Sequence, residues 1–401
     1  MTGFVLPGSD VCFKISGYVD AQVLAGNLTK QYGLVFTGVP GESPVTLQEL
    51  SPVSARDWTG FTTRAQVNLD AREMTAYGVL RGYAEMLFTN GSGFEAPFNG
   101  AILNLAYVQF AGLTAGRAPS FFSYLAGGET WYDFYSPDRV TSNQPDLLAY
   151  TATFGNGFSA TLSFEDQSGA NVNNPINGGF NNAYYGMIYP DVVAVARVDQ
   201  SWGSAQLSAV AHNTRAIGVS GDTINLWGGA ALAGATVNLP SVGPGDRLAA
   251  QLVYSRAALG YSGIPNTPLS LFDQGFNING NGAIFQLTDV LNYNPFSWST
   301  PTTWSAAGFF EHHISPEFSF APEVSFASVR YSESPPMISD NAVSFLGGVI
   351  AHWDPAPHLD FQFALMYQAT RQATPTSYVG PTPFRPFNSG LAGSLQIVRD
   401  Y

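Results

Sequence analysis

Glu129, Asp133, Asp138 and Arg139 gather in one stretch, PSFFSYLAGGETWYDFYSPDRVTSNQP (119–145), of a chain in which only 11% of residues are charged. Carboxylates on one segment and guanidiniums on the surface facing it create a transverse field, which orients dipolar solutes and rejects greasy ones. Arg64, Arg72 and Arg81 fall on the polar parity of their segments, and Arg117 stands just before the stretch. Opposed in this way, they line a narrow, water-filled passage if 119–145 folds into it. If the stretch lies outside as a solvated lid, the same charges are only surface charges.

Other chemistry is poorly supplied. Glu311 and His313 share one strand face, and His352 has matching parity two segments away. No zinc-type ligand spacing accompanies them, so they read as scattered polar groups of a wall or an interface. NVNNPINGGFNN and GFNINGNG carry too few carboxylates for calcium. The five histidines form no nucleophile–base–acid set and no GxSxG elbow is present, so no catalytic residue, cofactor or metal is expected.

Segments of one kind must position these residues. In FGNGFSATLSFED (154–166), Phe158, Ala160, Leu162 and Phe164 alternate with Ser159, Thr161, Ser163 and Glu165, behind a Gly-Asn-Gly turn and a second alternating run. That is a β-hairpin with one apolar and one wet face. The same period recurs in FKISGYVDAQV, FTTRAQVNLDAR and HLDFQFALMYQ, and no long amphipathic helix interrupts it. About sixteen runs of strand length emerge, near 13–24, 58–72, 74–89, 101–111, 112–118, 146–155, 157–166, 191–200, 203–213, 223–238, 246–257, 302–314, 317–330, 343–354, 358–370 and 390–401. Short turns, at Glu73, Asn156, Ser315-Pro316 and Pro355-Ala356-Pro357, trade places with long connections, among them 119–145 and 258–301. A soluble sandwich has no reason to sort its loops by length, whereas a membrane barrel does.

These patterns predict an all-β fold: one transmembrane antiparallel β-barrel over 1–401. Lipid offers no hydrogen-bond partner, so a spanning sheet has to close on itself. Phe158, Leu162 and Phe164 then face lipid, while Trp58, Phe88, Trp202, Trp304 and Trp353 near strand ends form interfacial girdles. Composition agrees: a net charge of −13 with only 16 basic residues excludes nucleic-acid binding, and 45% hydrophobic residues exclude disorder. No run reaches the ~18 apolar residues of a membrane helix. The single cysteine, Cys12, has no internal partner. The opening MTGFVLPGSD lacks the features of a signal peptide, so either the protein stays inside the cell or its numbering starts after a removed leader.

LPGSDVCFKISGYVDAQV resembles the N-terminal segment of the alphaproteobacterial porin family found in Rhizobiales, through Pro7-Gly8, Cys12, Lys14 and Gly17-Tyr18-Val19. AYGVLRGYAEMLF, LAYVQFAGLTAGRAPSFF and YTATFGNGFSATLSFED extend the resemblance over residues 1–166. The resemblance implies a sixteen-stranded general-diffusion porin, trimeric, in a Gram-negative outer membrane. It also implies that the third long loop, about 119–145, folds inward to narrow the pore. Two features depart from the family. The cysteine usually found upstream of the Cys12 match is absent, which points to a trimmed mature chain. Lysine and arginine are scarce, so the family's usual selectivity does not carry over, and the net charge predicts a weak cation preference instead. Alternatives remain open: a sugar-type channel using Tyr18, Tyr83, Trp131, Tyr132 and Tyr135, a barrel enzyme, or a soluble adhesin.

Overall fold

A computed structural model describes residues 3–5, 10–26, 59–93, 100–125, 144–166, 183–184, 186–218, 221–262, 289–294, 297–333, 340–374 and 387–401. Sixteen strands carry the alternation: β1 (Cys12–Gly26), β2 (Thr59–Thr75), β3 (Gly78–Gly93), β4 (Gly100–Phe110), β5 (Leu113–Arg117), β6 (Asp146–Gly155), β7 (Phe158–Glu165) and β8 (Asp191–Gln200). They continue with β9 (Gly203–Ile217), β10 (Thr223–Asn238), β11 (Arg247–Arg256), β12 (Pro301–Ser315), β13 (Phe318–Tyr331), β14 (Asn341–Ala356), β15 (Leu359–Gln372) and β16 (Phe387–Asp400). Each pairs antiparallel with its neighbours in sequence, and β16 pairs with β1 from Tyr18↔Asp400 to Gly26↔Ala392. The sheet is therefore a closed barrel without an edge, the form a strand-built membrane protein must take.

Six connections at one end are two residues long and a seventh spans 239–246, while every connection at the other end has five residues or more. In bacterial barrels the short-turn end faces the periplasm. Asn156-Gly157 has positive φ at both positions, 49° and 77°, as a type I′ hairpin requires. A Cβ on Gly157 would lie 1.8 Å from the Asp199 carbonyl oxygen, so no other residue fits there. Three turns fall later than the sequence suggests. The turn expected at Glu73 lies at Ala76-Tyr77, where the Thr75 hydroxyl accepts from the Tyr77 N–H (3.1 Å) and donates to the Gly78 carbonyl (2.7 Å). Gly78 takes φ 112°, which a side-chain-bearing residue resists. The other two lie at Pro316-Glu317 and Pro357-His358, so Pro355 stands inside β14.

The wet and apolar faces separate as expected. Phe158, Leu162 and Phe164 are 54%, 48% and 44% exposed on the outer wall, whereas the alternate residues Ser163 and Glu165 are buried on the inner one. Outward aromatics collect near both ends of the strands. Tyr254 stacks obliquely on Trp304 at the long-loop end, ring centroids 4.7 Å apart, and Trp353 lies between Phe318 and Phe361 at the short-turn end. Trp58 lies outside the described residues.

Candidate functional site

The lumen has two unlike walls. On β8–β11 the inner face carries an apolar patch: Val193, Val195, Val210, Leu232 and Val253 are all buried. A water-filled pore would not leave such a surface bare, and the third long loop covers it. β5 ends after five residues, and the chain then turns inside the barrel over 118–125. Phe122, fully buried, sits among these valines. The wall also holds the loop's backbone. Gln206 Nε2 donates to the carbonyls of Phe121, Phe122 and Ser123 (3.3, 3.4 and 3.0 Å), and the Phe121 N–H donates to Glu165 Oε1 (3.1 Å). Further on, the Tyr124 hydroxyl donates to Thr236 Oγ1 (2.8 Å) and the Leu125 N–H to Gln251 Oε1 (3.2 Å). A Cβ on Gly234 would lie 2.3 Å from the Tyr124 ring, so that glycine makes room for the loop. Glu129, Asp133, Asp138 and Arg139 lie outside the described residues, as do Trp131, Tyr132 and Tyr135.

The inner face of β1–β4 is polar and charged. Lys14, Asp70, Tyr83 and Tyr107 form one lateral row by register. Arg72, Arg81 and Gln109 form the next. Asp70 stands between two arginines: Arg72 donates through Nε and Nη2 (3.0 and 2.8 Å), and Arg81 does the same (3.0 and 2.9 Å). Arg81 Nη1 also donates to Gln109 Oε1 (3.1 Å), and its guanidinium packs on Tyr83 (4.9 Å) and Tyr107 (5.5 Å). These two rings stack 5.1 Å apart, and the Tyr83 hydroxyl donates to Glu85.

The four predicted arginines are not one cluster. Arg72 and Arg81 share Asp70 at the short-turn end. Arg64, eight residues up β2, is displaced by roughly 27 Å along the strand at ~3.4 Å per residue, and its Nε donates to Thr89 Oγ1 (3.4 Å). Arg117 donates its Nε–H to the Asn104 carbonyl (3.0 Å). Its register partner on β6, Asp146, is exposed on the same outward series as Leu148.

A family model described as the porin subfamily matches residues 1–383. The chain belongs to the porin subfamily. It is a channel-family protein of the Gram-negative outer membrane and not an enzyme. This porin is similar to porin Omp2b of Brucella neotomae, 25% identical over 365 residues that cover 86% of this chain and 85% of that one. Omp2b of Brucella canis is 28% identical over 214 residues, half of each chain. The outer membrane channel DcaP of Acinetobacter baumannii shares the fold at TM-score 0.66 and 12% identity, with full coverage of both chains. An anion-selective porin from Comamonas acidovorans does so at 0.51 and 11%, covering 98% of this chain and 100% of that one.

The histidines of the porin are each tied to a carboxylate. His352 Nδ1 lies 2.9 Å from Asp360. Asp246, buried in the 239–246 turn, accepts from the His313 N–H (2.9 Å) and from His312 Nδ1 (2.6 Å), while Arg247 pairs with Glu311. The His313 backbone N–H, followed by the His312 and His313 rings, holds the Asp246 carboxyl below its ordinary value. A depressed carboxyl contributes stability above its unfolded pKa of ~3.9 and loses it as pH falls through the lower folded value. Asp246→Asn should therefore lower the temperature of heat modification at pH 7. As pH falls from ~4 through the lower folded value, the wild-type porin should converge on the variant, because that carboxylate then becomes protonated. Equal temperatures for the two proteins at pH 7 would show that Asp246 does not hold this turn.

Sequence reasoning missed one buried constellation: Asp191, His212, Tyr261 and Asp289. The run DVVAVA (191–196), apolar at Val193 and Val195 as well as on its lipid face, was the available signal that something covers this wall from inside.

Proposed function

We propose that this porin is a general-diffusion channel, a passive, water-filled path for small hydrophilic solutes and ions with a weak preference for cations. The asymmetry of the lumen carries the reading: a charged wall on β1–β4 stands opposite a wall whose apolar patch the third loop occupies. In this reading Glu129, Asp133, Asp138 and Arg139 stand at the narrowest point. Arg72 and Arg81 face them, Arg64 lies nearer the long-loop mouth, and Arg117 marks where the loop leaves the wall. The net charge of −13 supports the cation preference.

Outward aromatics near both strand ends support contact with outer-membrane lipid. The outward Asp146 beside Arg117 supports a homotrimer, because charges there are costly against lipid and are better covered by protein. A substrate-specific channel is the second reading, favoured by the stacked Tyr83–Tyr107 pair under Arg81. Planar-bilayer recording across a KCl gradient decides between them. Stepwise insertions with a modest reversal potential of cation-selective sign are expected. Steps that a single sugar blocks saturably would replace general diffusion with the specific channel. An anion-selective potential would overturn the predicted preference.

A further inference from the structure

The chain beyond β11 also turns inward. A short 3-10 turn, Leu259–Tyr261, and the segment 289–291 are buried inside the long-loop mouth. The Ala257 N–H donates to the Pro301 carbonyl (3.0 Å) and closes the base of this excursion. What ties it down is a polar network with almost no exposure. The Tyr261 hydroxyl donates to Asp191 Oδ2 at the start of β8 (2.5 Å). His212 Nδ1 on β9 lies 2.9 Å from both oxygens of Asp191, and its Nε2 lies 3.5 Å from Asp289 Oδ2. Asp289 in turn accepts from the Leu259 N–H (2.5 Å). One imidazole thus bridges a wall carboxylate to a loop carboxylate, and a charge buried here is tolerable only because it is so paired.

The network touches the third loop as well. The Tyr261 ring packs edge-on against Phe122, centroids 5.0 Å apart. Glu165 on β7, a further buried carboxylate, accepts from the neighbouring backbone N–H at Phe121. Burial, and then the Asp191 charge, pushes the Tyr261 hydroxyl well above its ordinary value, so it remains a donor.

We infer that Asp191, His212, Asp289 and Tyr261 form a positioning latch for the pore: they seat 257–262 and 289–291 inside the mouth, and Tyr261 braces Phe122 so that the third loop keeps its place. None of the four needs to meet a solute. The inference rests on the diffusion-channel reading, in which the third loop sets the bore.

The test compares the wild-type porin with Tyr261→Phe, His212→Leu and His212→Gln in planar bilayers, with heat-modifiable migration as the check on folding. Tyr261→Phe keeps the ring on Phe122 and removes only the hydroxyl. It should lower the voltage at which the channel closes and raise open-channel noise several-fold. His212→Leu should do the same or more, and His212→Gln, whose amide still donates to Asp191, should recover most of the wild-type behaviour. Folded variants that close at the wild-type voltage with wild-type noise would overturn the latch. Should His212→Leu fail to fold, Tyr261→Phe decides alone, since it alters no wall strand. A wild-type porin that conducts nothing removes the channel reading but not the latch. Protease cleavage within 257–291 then decides it: faster cleavage in Tyr261→Phe supports the latch and equal cleavage overturns it.

Discussion

Phe122→Ala should widen and destabilise the pore while leaving the barrel intact. The Phe122 ring is fully buried among Val193, Val195, Val210, Leu232, Val253 and Tyr261, and among the described residues the loop and the 257–262 turn are the apolar cover of this wall. Removing it forfeits the transfer energy of the ring and leaves a cavity, a combination that typically costs about 3–5 kcal/mol. The loss falls on the seat of the third loop, not on the ladder of the sheet, because no strand hydrogen bond passes through residue 122. Expected results are a higher and noisier single-channel conductance, faster proteolysis near 118–125, and unchanged heat-modifiable migration. A variant with wild-type conductance and wild-type protease resistance would show that the loop is held by its polar contacts alone, chiefly Gln206 and Glu165.

Asp70→Asn should move selectivity towards anions. Asp70 receives four charge-assisted bonds from Arg72 and Arg81. An amide in its place leaves both guanidiniums uncompensated on this wall of the pore, with Lys14 directly across the ladder from residue 70. Fully buried pairs cost about 3–5 kcal/mol to break from one side. Here the Arg72 and Arg81 side chains are 40% and 22% exposed, which brings the stability loss nearer ~1–2 kcal/mol. The selectivity change is the larger signal. The reversal potential in a KCl gradient should shift towards the anion side, more at low salt, where screening is weak. An unchanged potential would place Arg72 and Arg81 away from the ion path. The same variant should loosen the Tyr83–Tyr107 stack, since Arg81 is held over both rings by Asp70.

The strands and their lipid faces were legible because period-two alternation is local: Phe158, Leu162 and Phe164 declare their side of the sheet within seven residues. Loop lengths, also local, separated the two ends of the barrel. Turn positions were less so. Glu73 is a charged residue between two alternating runs, yet the chain extends past it to the first place where a hydroxyl and a glycine close a turn, Thr75 and Gly78. Parity named Arg64, Arg72 and Arg81 as companions, but it carries no information on height, and only Arg72 and Arg81 meet. The latch was wholly out of reach. Asp191, His212, Tyr261 and Asp289 share no spacing, and they converge only because a loop returns into the barrel over a wall of a particular register.

The pairing of β1 with β16 bears on how the molecule is made. Asp20 and Gln396, 3.1 Å apart across this junction, are separated by 376 positions in the chain. Every other neighbouring pair of strands can zip as soon as its hairpin or loop exists, but this junction must wait for almost the whole polypeptide. Contacts so distant in sequence are slow to form, and until they do the growing sheet presents two unsatisfied edges to any strand nearby. A chain released before β16 is complete is therefore a template for aggregation. The intact chain needs an assembly site that shields both edges until the ring shuts.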